Sequence, residues 1–268
     1  MEEISVIIPT YNRSKTIGRA VESVLNQTYP VAEVVVVDDN STDNTGEVLA
    51  ALCNKKVRYY KMDKNIGAGG ARNYGVEMSK SEWIAFQDSD DEWFLDKLEK
   101  QISYMNQYPD CGMIYSAYEM EVYPGYYHRV PEMDGSLRLE GDIFSNVLLR
   151  NTCGAPTMLM KRSAFQELGG FDDTMRSLED WDLVIRIAKN YKIGFVPEVL
   201  VRVPKTPGSI STMKGNFYEN RCYMLQKYRS DYLETGMFDE TVHEILKMAE
   251  RDNVLEQVKK MLLLYIMR

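Results

Sequence analysis

The chain has 268 residues and a formal net charge of −8, from 32 basic and 40 acidic residues. Its 44% hydrophobic and 27% charged content is that of a soluble globular protein, which excludes a disordered chain, a collagen-like repeat and a coiled coil. The acidic excess argues against broad nucleic-acid binding, although a local pocket can invert that sign for a small phosphate-bearing ligand.

The first half alternates strand and helix signals. Ile4–Ile8 is a β-branched run stopped by Pro9, and Ile17, Ala20, Val21, Val24 and Leu25 follow helical spacing. Glu33–Val37 is a second strand ending in Asp38-Asp39, and Ser41–Thr45 is rich in N-cap residues before a helix with Val48, Leu49 and Leu52. Val57–Lys61 is a third strand. Glycines 67, 69 and 70 then precede a helix carrying Ala71, Tyr74 and Met78. Trp83–Phe86 is a fourth strand ending in Gln87-Asp88-Ser89-Asp90-Asp91, followed by a helix with Leu98, Ile102 and Met105. Strands alternating with helices predict an α/β fold with a mostly parallel sheet covered on both faces.

Further on, Gly112–Tyr118 and Thr157–Lys161 read as strands, with the Tyr-, Pro- and Gly-rich Tyr123–Tyr127 as a loop between them. Trp181, Val184, Ile185 and Ala188 space as a helix. Val196–Val201 reads as an edge strand, because Pro197 cannot donate to a ladder, and Pro204–Ser209 reads as a loop. From about Gly215 the pattern is helical only, with apolar residues from Val242 to Tyr265 at three-to-four spacing. Acidic and basic residues are balanced there, nine each from 214 to 268, so the surplus negative charge lies in residues 1–213.

The four cysteines, Cys53, Cys111, Cys153 and Cys222, form no CxxC pair and suit a reducing compartment. With no basic-then-apolar leader and no run of 18 apolar residues, the expected location is cytoplasmic, extending to the inner face of a membrane.

In an open α/β sheet, ligands bind at the carboxyl ends of parallel strands. Three such ends here are chemically loaded: Pro9-Thr10-Tyr11-Asn12-Arg13, Asp38-Asp39-Asn40-Ser41 and Asp88-Ser89-Asp90-Asp91. Carboxylates gathered on one rim repel unless a cation sits among them. Hard ions such as Mg²⁺ or Mn²⁺ take oxygen ligands and share their shell with phosphates. A D-x-D after a strand is therefore a candidate metal–diphosphate clamp, and the competing explanation is a turn with a helix N-cap.

Four segments in this order and spacing, SVIIPTYNR, VVVDDNSTDNT, NIGAGGARN and WIAFQDSDD, together resemble the nucleotide-sugar-binding half of a family 2, GT-A-type glycosyltransferase. The resemblance is specific over roughly residues 3–110 and looser to about 213. Gly169–Asp172 and the Leu178–Leu183 segment, similar to the family's acidic "ED" motif, extend it. The resemblance implies a UDP-sugar donor, a Mn²⁺ or Mg²⁺ cofactor and a single displacement with inversion. It places Pro9, Thr10, Tyr11, Arg13, Asp39, Asn65, Gly70, Arg72, Asp88 and Ser89 around the donor, with Asp39 reading a uracil-type base and Arg72 capping base or phosphates. Asp88 and Asp90 would hold the metal, and Asp180 would be the general base, kept ionised by the dipole of the helix it opens. Glu179 and Trp181 are the candidates for acceptor contact. Many relatives carry a histidine in the loop after Val203. Here that loop has none, which leaves open whether a third protein ligand completes the metal site and makes Lys205 a candidate diphosphate partner.

These readings divide the chain into a nucleotide-sugar-binding half (1–110), an acceptor-binding and catalytic half of the same domain (111–213) and a C-terminal helical extension (214–268). The extension is expected to pack on its own domain or form a homo-oligomer. Its charge balance allows at most weak membrane contact, through Lys259, Lys260 and Arg268 beside Met261–Met267. The acceptor implied is a glycan of a cell-surface polysaccharide, a glycoprotein or a lipid-linked sugar. The alternatives are a sugar-phosphate nucleotidyltransferase, against which the glycine-free first loop argues, and a nucleotide-sugar-binding module without turnover.

Overall fold

A computed structural model describes residues 2–206 and 214–266. In chain order the elements begin with β1 (Ile4–Thr10), α1 (Ile17–Leu25), β2 (Glu33–Asp38), α2 (Thr45–Ala51), β3 (Val57–Lys61), α3 (Gly67–Met78) and β4 (Trp83–Phe86). Then come β5 (Glu92–Trp93), α4 (Lys97–Gln107), β6 (Cys111–Tyr123), β7 (Tyr126–Val130), α5 (Phe144–Leu149), a 3-10 turn (Ala155–Thr157), β8 (Leu159–Lys161) and α6 (Arg162–Glu167). The chain continues with α7 (Glu179–Asn190), β9 (Lys192–Val203), α8 (Lys214–Lys227), α9 (Arg229–Glu234), α10 (Phe238–Arg251) and α11 (Leu255–Ile266).

One sheet runs β3-β2-β1-β4-β8-β6-β9-β5, with β7 added to β6. Strands β1 to β4 are mutually parallel, as the alternating pattern predicts, and β6 is parallel to β9. The short β8 is antiparallel to both of its neighbours and joins these two parallel blocks. Along β1, Val6 and Ile8 face a core with Val21 and Val24 of α1 and Leu98, Ile102 and Met105 of α4. Ile7 faces the opposite core, with α7 and the C-terminal helices. Burial on both faces explains why these strands read as continuous apolar runs rather than alternating ones.

Two prolines behave differently from the sequence expectation. Pro9 does not stop β1, which continues to Thr10. The ladder to β4 ends at Ile7, whose carbonyl accepts from Gln87, so Pro9 faces a side where no acceptor awaits its missing N–H. Likewise β9 is internal rather than an edge. Pro197 falls where the pairing with β6 skips from Val196 to Val199, so the ladder accommodates it as a bulge. The Tyr-rich 123–127 stretch is also no free loop but the tip of the β6–β7 hairpin, turning at Gly125 with φ +77°.

The C-terminal stripe packs inward. Ile245, Ala249, Val258 and Leu262 are buried in the same core as Trp181, Val184 and Ile185 of α7, while Leu263 and Leu264 stay exposed. The seam is also ionic: Lys227 of α8 reaches Asp172 at 2.8 Å and the fully buried Asp182 of α7 at 2.7 Å. Residues 207–209 of the predicted loop, and Met267 and Arg268, lie outside the described residues. No helix among the described residues is long and apolar enough to cross a membrane.

Candidate active site

Parallel pairing sets Thr10 opposite Asp38 and brings the ends of β1, β2 and β4 to one rim. The rim is cross-tied by short polar side chains. Asn12, at φ +52°, donates its N–H to Ser41 Oγ at 2.8 Å, and its Oδ1 accepts from Thr42 N–H at 2.8 Å. Asp43 accepts from Ser14 N–H and from Thr45, which holds its carboxyl down at about 2 despite partial burial. Asp38 is consumed structurally by Ser41 N–H and the Tyr59 hydroxyl.

Asp39 accepts from Ile66 N–H at 2.6 Å and Gly67 N–H at 2.9 Å, so it caps the start of α3. A carboxylate has about four lone-pair sites, so two acceptor positions remain for a ligand N–H. Asn65 is exposed and donates to the Asp39 carbonyl, and Tyr11 is 46% exposed beside this edge. Thr10 and Ser89 are buried, and Thr10 Oγ1 has no protein partner among the described residues. A buried hydroxyl without a partner at a strand end is where a ligand or water bonds. Gly70 lies against Ile66, with room for a Cβ only at 3.3 Å.

Arg72, on α3, is buried and forked. One terminal nitrogen donates to Asp88 at 2.7 Å and the other to Glu179 at 2.6 Å, with Phe171 under the guanidinium. Both carboxylates hold its pKa above the ordinary arginine value although burial works against the charge. Arg72 thus joins the first acid of the D-x-D to the start of α7. Its Nε is left without a protein partner among the described residues.

Burial raises the Asp90 carboxyl, the Asp88 charge adds to the rise, and Arg13 at 3.5 Å opposes it. The fully covered Asp91 is pushed well up by burial and by both acids. Among the described residues no group of three or more His, Cys, Asp or Glu side chains is arranged to hold a metal alone. Asp88 and Asp90 supply two hard oxygen donors in a spot with excess negative charge. That donor set fits Mg²⁺ or Mn²⁺ completed by phosphate oxygens and water.

Glu179, Asp180 and Asp182 occupy the first turn of α7, entered through Leu178 at φ +62°, a left-handed conformation costly for a leucine. Asp180 accepts from Trp181 N–H at 2.7 Å and from Ala155 N–H at 3.3 Å. The helix dipole does not dominate its ionisation: burial, then the Glu179 charge, raises it to about 7 against the pull of Arg72 and the Trp181 N–H. Glu179 is spent on Arg72. Trp181 is buried, donates to Val147 O and lies under Arg221 at 4.0 Å, so its ring is walled in by protein rather than offered to a sugar. Lys205 has an exposed side chain, and its N–H donates to Glu121.

Residues 5–169 match the family described as Glycosyl transferase family 2. The chain belongs to that family. An uncharacterized glycosyltransferase of Rickettsia conorii is 34% identical over 224 residues, covering 81% of this family 2 chain but 35% of the relative. An Escherichia coli UDP-Glc:alpha-D-GlcNAc-diphosphoundecaprenol beta-1,3-glucosyltransferase is 37% identical over 137 residues, 50% of the chain and 54% of that protein. The chain thus spans about a third of the first of these relatives and about half of the second. The crystal structure of S. aureus TarS 1-349 in complex with UDP-GlcNAc superposes with a TM-score of 0.73 over 92% of the chain and 72% of that structure, at 23% identity. The fold is therefore the GT-A type that the family 2 motifs imply, with C-terminal helices added.

Proposed function

We propose that the chain transfers a hexosyl unit from a UDP-sugar to a hydroxyl of a glycan acceptor, free or lipid-linked, with inversion. The observation that carries the reading is the linkage at the rim. A D-x-D carboxylate, Asp88, is joined through one buried arginine to the acidic turn that presents Asp180. The activity of the E. coli relative, with a UDP-glucose donor and a diphosphoundecaprenol-linked acceptor, supports the donor class and the lipid-linked option.

In this reading Asp39 accepts the imide N–H of the base beside Tyr11 and Thr10. Asp88 and Asp90 would hold a divalent ion, which when bound stabilises the negative charge of the departing diphosphate. Arg13, near Asp90, adds fixed positive charge to the same side. Asp180 takes the proton from the attacking hydroxyl. A base near 7 is well matched to that task, since a substantial share is ionised at neutral pH and that form is basic enough to accept the proton.

The test is UDP release from UDP-glucose, UDP-galactose and their N-acetyl derivatives, with and without Mn²⁺. Asp180→Asn is expected to lower turnover about 10²–10⁴-fold, the usual worth of a general base, with UDP affinity unchanged. Unimpaired turnover in Asp180→Asn removes the base assignment. UDP binding that is equally metal-dependent in Asp90→Ala removes the clamp.

A further inference from the structure

Lys97 is fully buried at the start of α4, with no carboxylate in hydrogen-bond reach among the described residues. Its Nζ donates to Gln101 Oε1 at 2.7 Å and lies 3.9 Å over the Trp93 ring. Burying an amine without a counter-charge is costly, and a methionine would fill the space. The two partners supply the reason for a lysine. An ammonium, which only donates, facing Gln101 fixes which end of that amide is oxygen, and the two carbonyls beyond fix Nε2 the other way. There it donates to Thr157 O at 2.8 Å and Ile114 O at 3.3 Å. The Trp93 Nε1–H, under the same lysine, donates to Pro156 O at 3.0 Å. Both donors therefore hold the 3-10 turn Ala155–Thr157, closed on itself by Thr157 Oγ1 to Gly154 O. The opposite end of that turn gives its Ala155 N–H to Asp180.

We propose that Lys97 is a positioning residue for Asp180, acting through Gln101 and Trp93 on the Ala155–Thr157 turn. The inference rests on Asp180 being the base. Lys97 touches no group assigned to donor or acceptor. The titratable groups that face Asp180, namely Glu179, Arg72, Asp88, Tyr118 and Cys153, are unchanged by substitutions at 97 and 101.

The experiment uses the full chain, with Lys97→Met and, in case that variant does not fold, Gln101→Glu. The second keeps an acceptor for Lys97 but turns an oxygen toward the Thr157 carbonyl. Three quantities are measured: amide exchange at Ala155 by NMR, titration of the Asp180 carboxyl in ¹³C-labelled protein, and UDP affinity. The expected result is at least tenfold faster exchange at Ala155 and a higher Asp180 midpoint, with UDP affinity within twofold. An unchanged Ala155 amide and Asp180 midpoint overturn the proposal. So does faster exchange spread evenly over the sheet, which marks a merely structural lysine. If Asp180→Asn retains UDP release while Lys97→Met still frees the Ala155 amide, the base reading falls and the link from Lys97 to the Ala155–Thr157 turn stands.

Discussion

Asp180 carries opposite consequences for activity and stability. Its native pKa of about 7 lies above the value near 3.9 of an unfolded aspartate. The native state therefore holds the proton more tightly, a contribution fully present below pH 4 and lost as pH rises through 7. With Asp180 as the proposed base, turnover is expected to climb with pH, half-maximal near 7 in a kcat/KM profile. Asp180→Asn should accordingly turn over about 10²–10⁴-fold more slowly yet melt higher than the native chain at pH 8. Arg72 behaves in the reverse sense. Arg72→Met strands Glu179 and Asp88, and breaking a buried ion pair this way costs about 3–5 kcal/mol, readable as a fall in urea midpoint.

Among the elements, α3 combines four glycines, poor helix formers, with close packing on the sheet. A Cβ on Gly75 would meet Ile7 Cγ2 at 2.5 Å and Val37 at 3.3 Å, so the helix rests directly on β1 and β2. Gly75→Ala is expected to destabilise by about 1–3 kcal/mol through overpacking, checked by thermal unfolding. The same helix shows what sequence could reveal. The β1–α3 order, the strand ends and the start of α7 were legible because apolar period and N-cap chemistry act locally. The two-residue β5, the short α5 and α6 and the full length of β6 and β9 were not. Those segments are set by neighbours: Glu92 and Trp93 become a strand only because β9 lies alongside them. Similarly, motif spacing named Arg72 and Glu179 separately but could not pair two residues 107 positions apart. Lys97 carried no signal either, since a lone lysine opening a helix reads as a solvated one.

At the scale of the whole molecule, the C-terminal helices form part of the core beneath α7. Lys227→Met would remove the cation shared by Asp172 and Asp182, leaving Arg186 and the Tyr228 hydroxyl to hold the latter. The expected outcome is faster amide exchange concentrated in α8 and α9, with UDP affinity little changed. The Arg72 fork has a different kind of consequence, for modularity. The stretch 1–110 looks separable in sequence, with its own strands and its own ligand motifs. Cut there, it would carry a guanidinium buried to match a glutamate left on the other piece. Swapping donor-binding halves between homologues should therefore succeed only when the arginine and the α7 glutamate travel as a pair.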